Sequence, residues 1–252
     1  MKTISITLDA AMQYWSANKS LRERATATRP TKCGVIGLIA SASGYAYDDD
    51  ISALAACRFA VTEIRPGVIE RDYKTVGTQL IPALPGDLIA GAKLVKNDTK
   101  SGEHWISGAP RKNVDHTKIV RGSANVPDSA EAPPKIIIEE YLADAAFTVA
   151  LEGQDSTIDS IYHALQSPAR ALYLGKRAYS PSAPFVDEDS VSNQSLENVI
   201  STWSGDVWCE IKDNQPRSYL VQDQPLKYGV NQKRGMRREI FIPQETDDFF
   251  DF

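Results

Sequence analysis

Cysteine is scarce and badly placed for structural work. The 252-residue chain has three, Cys33, Cys57 and Cys209, far apart and odd in number. No CxxC pair exists, which argues against a zinc ribbon or a disulfide framework and fits a reducing cytoplasm. Histidine is equally sparse. His104, His116 and His163 stand apart, and no HExxH or paired-histidine spacing is available to a metal. GxSxG and GxGxxG are both missing. Long apolar runs are missing too. Val35 to Ala42 is the most apolar stretch, far too short to span a bilayer, and Met1-Lys2-Thr3 opens no signal-type segment. Neither an internal repeat nor a low-complexity tract occurs before the acidic, aromatic tail. These absences leave no convincing catalytic residues, no metal site, no cofactor motif and no membrane partner to expect.

What is present is an ordinary globular composition, 42% hydrophobic and 24% charged. The net charge of −5 excludes a uniformly basic nucleic-acid binder, but the cations are grouped. Lys2, Lys19, Arg22, Arg24, Arg29 and Lys32 outweigh Asp9 and Glu23 near the start. A second basic zone runs from Lys93 to Arg121. Lys227, Lys233, Arg234, Arg237 and Arg238 form a third. Acid collects in Asp187-Glu188-Asp189 and from Glu245 to Asp251. Separated basic zones suit a polyanion bound along one face; solvated lysines without a ligand are the competing reading.

Alternation at Ile4, Ile6 and Leu8 predicts a first strand. Ala10 to Thr28 reads as a loop with a short helix. Pro30 and Thr31 open an apolar helix that Gly44 ends; Gly34, Gly37, Ala40 and Ser41 lie on one flank and permit close packing. Asp48-Asp49-Asp50 leads into a short helix. Strands are expected at Cys57 to Ile64 and Val68 to Thr75, with Arg65-Pro66-Gly67 as the turn. Residues 78–134 are rich in proline and glycine and read as a projecting arm. Ile136 to Ile138 and Ala145 to Leu151 read as two strands. Ser156 to Leu165 is an amphipathic helix, and Ala171 to Leu174 a short strand. The pattern weakens after Ser180, with strand signals near Trp203 to Ile211 and at Tyr219 to Val221. The order is compatible with a ferredoxin-like sheet of the kind used in RNA-recognition domains.

The segment Arg29-Pro30-Thr31-Lys32-Cys33-Gly34 is the best local candidate for a site. A helix N-terminus offers unpaired N–H groups and a positive dipole end. Arg29 and Lys32 add charge, Thr31 a hydroxyl, and Gly34 close approach. The spacing is not that of a Walker loop, and a plain capped helix remains the alternative. Gln13, Tyr14 and Trp15 form a polar-aromatic patch able to stack on bases, or a core edge. Arg71, Tyr73 and Thr75 share one face of a strand, with Asp72 and Lys74 opposite. Lys176 and Arg177 follow Gly175, which allows a turn that presents them outward. A metal-independent ribonuclease would need only a base and a phosphate stabiliser, for which His116 and Lys118 are the candidates.

Five blocks stand together in order: Met12 to Trp15, Pro30 to Leu38, Asp72 to Thr75, Tyr141 to Leu151 and Tyr173 to Arg177. The set, across about residues 4 to 186, resembles the CasD family, the subunit of the type I-E CRISPR Cascade complex that holds the 5′ handle of the CRISPR RNA. The resemblance implies an α+β, ferredoxin-like (RNA-recognition-like) domain over 1–154 with a thumb hairpin inserted at 78–134. A smaller, β-rich C-terminal portion over 155–252 follows. It implies a non-catalytic, cytoplasmic RNA-binding subunit in antiviral defence, without a cofactor. Its partners would be the crRNA 5′ handle, the backbone subunit CasC and the large subunit CasA, with target DNA reached indirectly. Under this reading Arg29, Thr31, Lys32, Cys33 and Gly34 meet handle phosphates. Gln13, Trp15, Arg24 and Tyr73 frame extruded bases, Arg71 and Lys74 are further RNA-binding candidates on the strand that carries Tyr73, and Lys176 and Arg177 add a flanking phosphate contact. Departures are Asp9-Ala10-Ala11 for a usual Gly-Pro, Ser16 for a glycine, Lys74 for a histidine and Ala178-Tyr179 for Ser-Cys. A repeat-cleaving endoribonuclease and a purely architectural subunit are the alternatives.

Overall fold

A computed structural model describes residues 1–17, 23–76, 93–96, 103–106, 135–228 and 233–243. The chain divides into two compact units, Met1–Asp72 with Glu139–Phe252, and Tyr73–Ile138.

The first unit is built on an antiparallel sheet. Strand β1 (Lys2–Gln13) buries Ile4, Ile6, Leu8 and Ala10 on one face, as the alternation requires. It pairs with the C-terminal half of β7 (Lys135–Gly153), from Lys2 opposite Gly153 to Gln13 opposite Leu142. On the other side of β7 lies β3 (Arg58–Arg65), and the two-residue β8 (Val191–Ser192) flanks β1. Beyond β3 the sheet continues through β9 (Val207–Ile211) and β11 (Lys233–Ile242) to β10 (Tyr219–Lys227) at its edge. Strands β2 (Glu23–Arg24) and β4 (Val68–Val76) also pair with β7.

Helices α1 (Lys32–Ala42) and α3 (Asp155–Gln166) cover the face that carries Ile4, Ile6 and Leu8. Val35, Ile36 and Ile39 from α1 meet Ile158, Ile161 and Leu165 from α3 over Phe59, Phe147, Val149 and Leu151. The short α2 (Ser52–Ala55) precedes β3, with the Asp50 carboxylate accepting from the Ser52 N–H. On the opposite face α4 (Leu196–Ile200) covers Ala60, Ala150, Val207 and Cys209. In the second unit, β5 (Lys93–Lys96) and β6 (Glu103–Ile106) form an antiparallel pair. The remainder of the expected arm lies outside the described residues. No helix among the described residues is long and apolar enough to cross a membrane.

Three sequence expectations need correction. Among the described residues of Ala10 to Thr28 there is no helix: β1 runs on to Gln13, and an isolated bridge joins Ser16 to Thr26. The two strands expected at Ile136 and Ala145 are one 19-residue strand, bent where Asp144 takes a φ of 54°. Arg65 Nε donates to the Asp144 carbonyl there, at 2.6 Å. Ala171 to Leu174 is not a strand. Its end is tied by single bonds, Tyr14 N–H to the Leu174 carbonyl and Leu174 N–H to the Tyr179 carbonyl.

Candidate nucleic-acid interface

Helix α1 begins as its sequence requires. Thr31 is the N-cap, and its hydroxyl accepts from the Gly34 N–H at 3.2 Å. A second acceptor comes from far along the chain. The Asp223 carboxylate on β10 takes the Lys32 N–H at 2.8 Å, and Arg237 holds that carboxylate through two nitrogens. The positive end of α1 thus already faces an internal anion.

This revises the role expected of Lys32. Its side chain is 1% exposed, and Nζ reaches both Glu210 oxygens at 3.1 and 2.8 Å. Burial pulls its pKa below the ordinary lysine value, with Glu210 opposing that shift. An ammonium so enclosed is a structural cation and not a phosphate contact. Arg29 is also committed. It donates to Glu239 at 2.6 Å and stacks over Trp208 at 4.6 Å.

Gln13 and Trp15 are likewise corrected. Gln13 is fully buried, donating to the Leu8 and Ala145 carbonyls and accepting from the Trp15 indole N–H. Trp15 is 3% exposed, with its backbone N–H on the Thr26 hydroxyl. A Gln-Tyr-Trp triplet at a strand end does not reveal which side chains turn inward, because the partners are distant in sequence. Here Tyr14 takes the position facing the cleft.

That cleft has a volume of about 250 Å³ and lies along the small-residue flank of α1. Cys33, Gly34, Gly37, Leu38 and Ser41 line it from the helix, Tyr14, Trp15, Tyr173 and Tyr228 form its aromatic walls, and Arg234 is its one charged lining residue among the described residues. The Tyr228 hydroxyl donates to the Cys33 carbonyl, fixing the wall to the helix start. Gly34 is required by space, since a Cβ there would sit 2.8 Å from the Trp15 ring. Gly175 is required by conformation, with φ at 99° and the Tyr14 carbonyl 2.1 Å from where a Cβ would be.

Lys176 follows, with Nζ 4.8 Å from the Tyr14 ring centre and 2.8 Å from Glu139. Arg24 reaches the other oxygen of the same Glu139 at 2.9 Å. Arg177 is exposed and has no ion-pair partner among the described residues. Arg71 is mostly exposed and donates to Glu140 at 3.2 Å. Tyr73, 64% exposed, and Lys74 belong to the other unit. The structure therefore brings Thr31, Cys33, Gly34 and Trp15 to the cleft, and Lys176 and Arg24 to one carboxylate beside Tyr14. Arg234 and Tyr228 are cleft residues that the sequence motifs did not single out, and Tyr173 lay in a motif without being given a role. Arg234 carried a signal only as one of five cations in the third basic cluster. The proposed ribonuclease pair, His116 and Lys118, lies outside the described residues, and His163 is exposed on α3.

Such a cleft, with aromatic walls, one guanidinium and a floor of mostly small side chains, is suited to a flat, anionic polymer unit. The family model for CRISPR-associated protein (Cas_Cas5) matches residues 3–240, and the chain belongs to that family. Among solved structures the fold is shared with a chain titled "CRISPR RNA-guided surveillance complex", at 24% identity and a TM-score of 0.63, covering 97% of this chain and 90% of that one. A second, titled "Crystal structure of Cas protein", matches at 24% identity and 0.61, covering 96% and 95%. No curated protein sequence matches the chain.

Proposed function

We propose that this chain is a non-catalytic subunit of a CRISPR RNA-guided surveillance complex of the type I-E kind, holding the 5′ handle of the guide RNA. The observation that carries this reading is the aromatic-walled cleft on the glycine flank of α1. Bases stack on tyrosine faces without sequence demands, and a guanidinium suits a phosphodiester. Family membership supplies the CRISPR context. The strand order β3-β7-β1-β8, with α1 and α3 on one face, suits a ferredoxin-like sheet and supports the reading of an RNA-recognition-like body. The antiparallel β5–β6 pair suits a thumb that contacts a backbone subunit such as CasC, and the body would meet a large subunit such as CasA in the cytoplasm.

The test is co-purification with the neighbouring subunits, sequencing of the bound RNA, and photocrosslinking from its 5′ end. Adducts in peptides covering residues 14–41 or 171–177 are expected. Adducts only elsewhere, or none, would favour a purely architectural subunit. The endoribonuclease alternative is tested separately: repeat RNA incubated with excess protein is expected to remain intact, and cleavage without metal would overturn the non-catalytic assignment.

A further inference from the structure

The cleft has a neighbour. A second cavity of about 460 Å³ is lined by Ser16, Ala17, Ala27, Thr31, Val221, Gln222, Asp223 and Arg234. Ser16, Thr31 and Arg234 line both cavities and so form the wall between them. Arg234 differs electrically from three basic residues nearby in the fold. Arg237 is held by Asp223, Arg29 by Glu239 and Lys32 by Glu210. Arg234 has no carboxylate partner among the described residues. Among the described residues its one hydrogen bond sends a terminal nitrogen to the Ser16 carbonyl at 3.2 Å, and its Nε–H is buried without an acceptor. Asp223, the acid in the second cavity, is already engaged by Arg237 and the Lys32 N–H.

From this placement we infer that Arg234 grips the phosphodiester joining two successive nucleotides of the bound RNA, one seated in each cavity. A guanidinium in a dividing wall is reached from both sides, and a phosphate is the one group of an RNA strand that must lie between two adjacent nucleosides. Arg234 keeps donors to spare because the Ser16 carbonyl occupies only one of them. The inference rests on the RNA-binding reading above and adds the register: the strand crosses the wall at Arg234 instead of ending in the first cleft.

The full chain is titrated with a single-stranded RNA matching the 5′ end of the guide recovered with the complex, at about 50 and about 200 mM salt. Wild type, Arg234→Gln and Arg234→Lys are compared, with thermal midpoints recorded. Arg234→Gln should weaken binding and flatten the slope of log affinity against log salt by about 0.7, the loss of one single-strand phosphate contact. Arg234→Lys should keep the slope. Single methylphosphonate linkages are then placed along the RNA. One linkage should weaken wild type strongly and leave Arg234→Gln indifferent. If wild type binds but the glutamine variant has the same slope, or if no single linkage separates the two proteins, Arg234 is not the phosphate clamp. If Arg234→Gln fails to fold, a wild-type scan without one dominant linkage overturns the inference by itself. If wild type binds no RNA, the RNA reading falls and this inference falls with it.

Discussion

Lys32 looks on paper like an exposed phosphate ligand and is in fact among the most enclosed side chains of the protein. Its partner Glu210 lies 178 residues away, so no local pattern could reveal the pair. The consequence is testable. Lys32→Ala leaves a largely buried carboxylate without its counter-charge, which should cost about 3 kcal/mol of stability in urea denaturation. RNA affinity per folded molecule should stay unchanged. A stable variant with lost RNA binding would restore Lys32 as a ligand. Tyr219 gives a second prediction. Burial and its bond to Glu239, at 2.8 Å, push its hydroxyl up from 10.0 to about 12. A folded-state value above the unfolded one means the stabilisation is whole below pH 10 and is lost as pH rises toward about 12. Urea midpoints measured across that window should fall less for Tyr219→Phe than for wild type. Equal slopes would show that the hydroxyl is not held in this way.

Helix α1 was legible in the sequence to within a residue or two, because its cap, its apolar run and its terminal glycine are all local signals. Strands β10 and β11 were mostly illegible for the opposite reason. Their inward positions hold Asp223, Arg237 and Glu239, charged groups that satisfy one another across strands and erase the alternation a sequence reader looks for. The bend at Asp144 similarly split β7 into two apparent strands, since the apolar spacing changes at the bend. The cleft's floor was visible as the small-residue flank of α1, whereas its walls at Tyr228 and Arg234 come from segments with no motif. Two glycines of that floor should behave differently. Gly34→Ala drives a methyl to 2.8 Å from Trp15 and 3.0 Å from the Thr31 hydroxyl, and should destabilise by about 1–3 kcal/mol. Gly37→Ala meets only the Tyr228 hydroxyl at 3.4 Å, and its gain in helix propensity, up to about 1 kcal/mol, should leave the protein at least as stable. Gly37→Leu should then fill the cleft and reduce RNA affinity. Thermal midpoints and RNA titrations of the three variants separate a role in packing from a role in keeping the cleft open.

At the scale of the whole molecule, the net charge of −5 and the internal pairing of so many cations limit how the chain can hold a polyanion. Arg29, Lys32, Arg58 and Arg237 all neutralise carboxylates within the fold. Among the described residues around the cleft, the uncompensated positive charge reduces to Arg234, Arg177 and the single excess charge of Arg24 and Lys176 sharing Glu139. Three effective charges correspond to a log–log salt slope of roughly −2 for single-stranded RNA. The isolated chain should therefore bind handle RNA with modest affinity and a shallow salt dependence, and retention at physiological salt should come from enclosure by neighbouring subunits. Fluorescence titrations across a range of salt concentrations give the slope directly. A value steeper than about −4 would require several more phosphate contacts than these residues supply, and would place them on Lys19 and Arg22 or on the basic residues between Lys93 and Arg121.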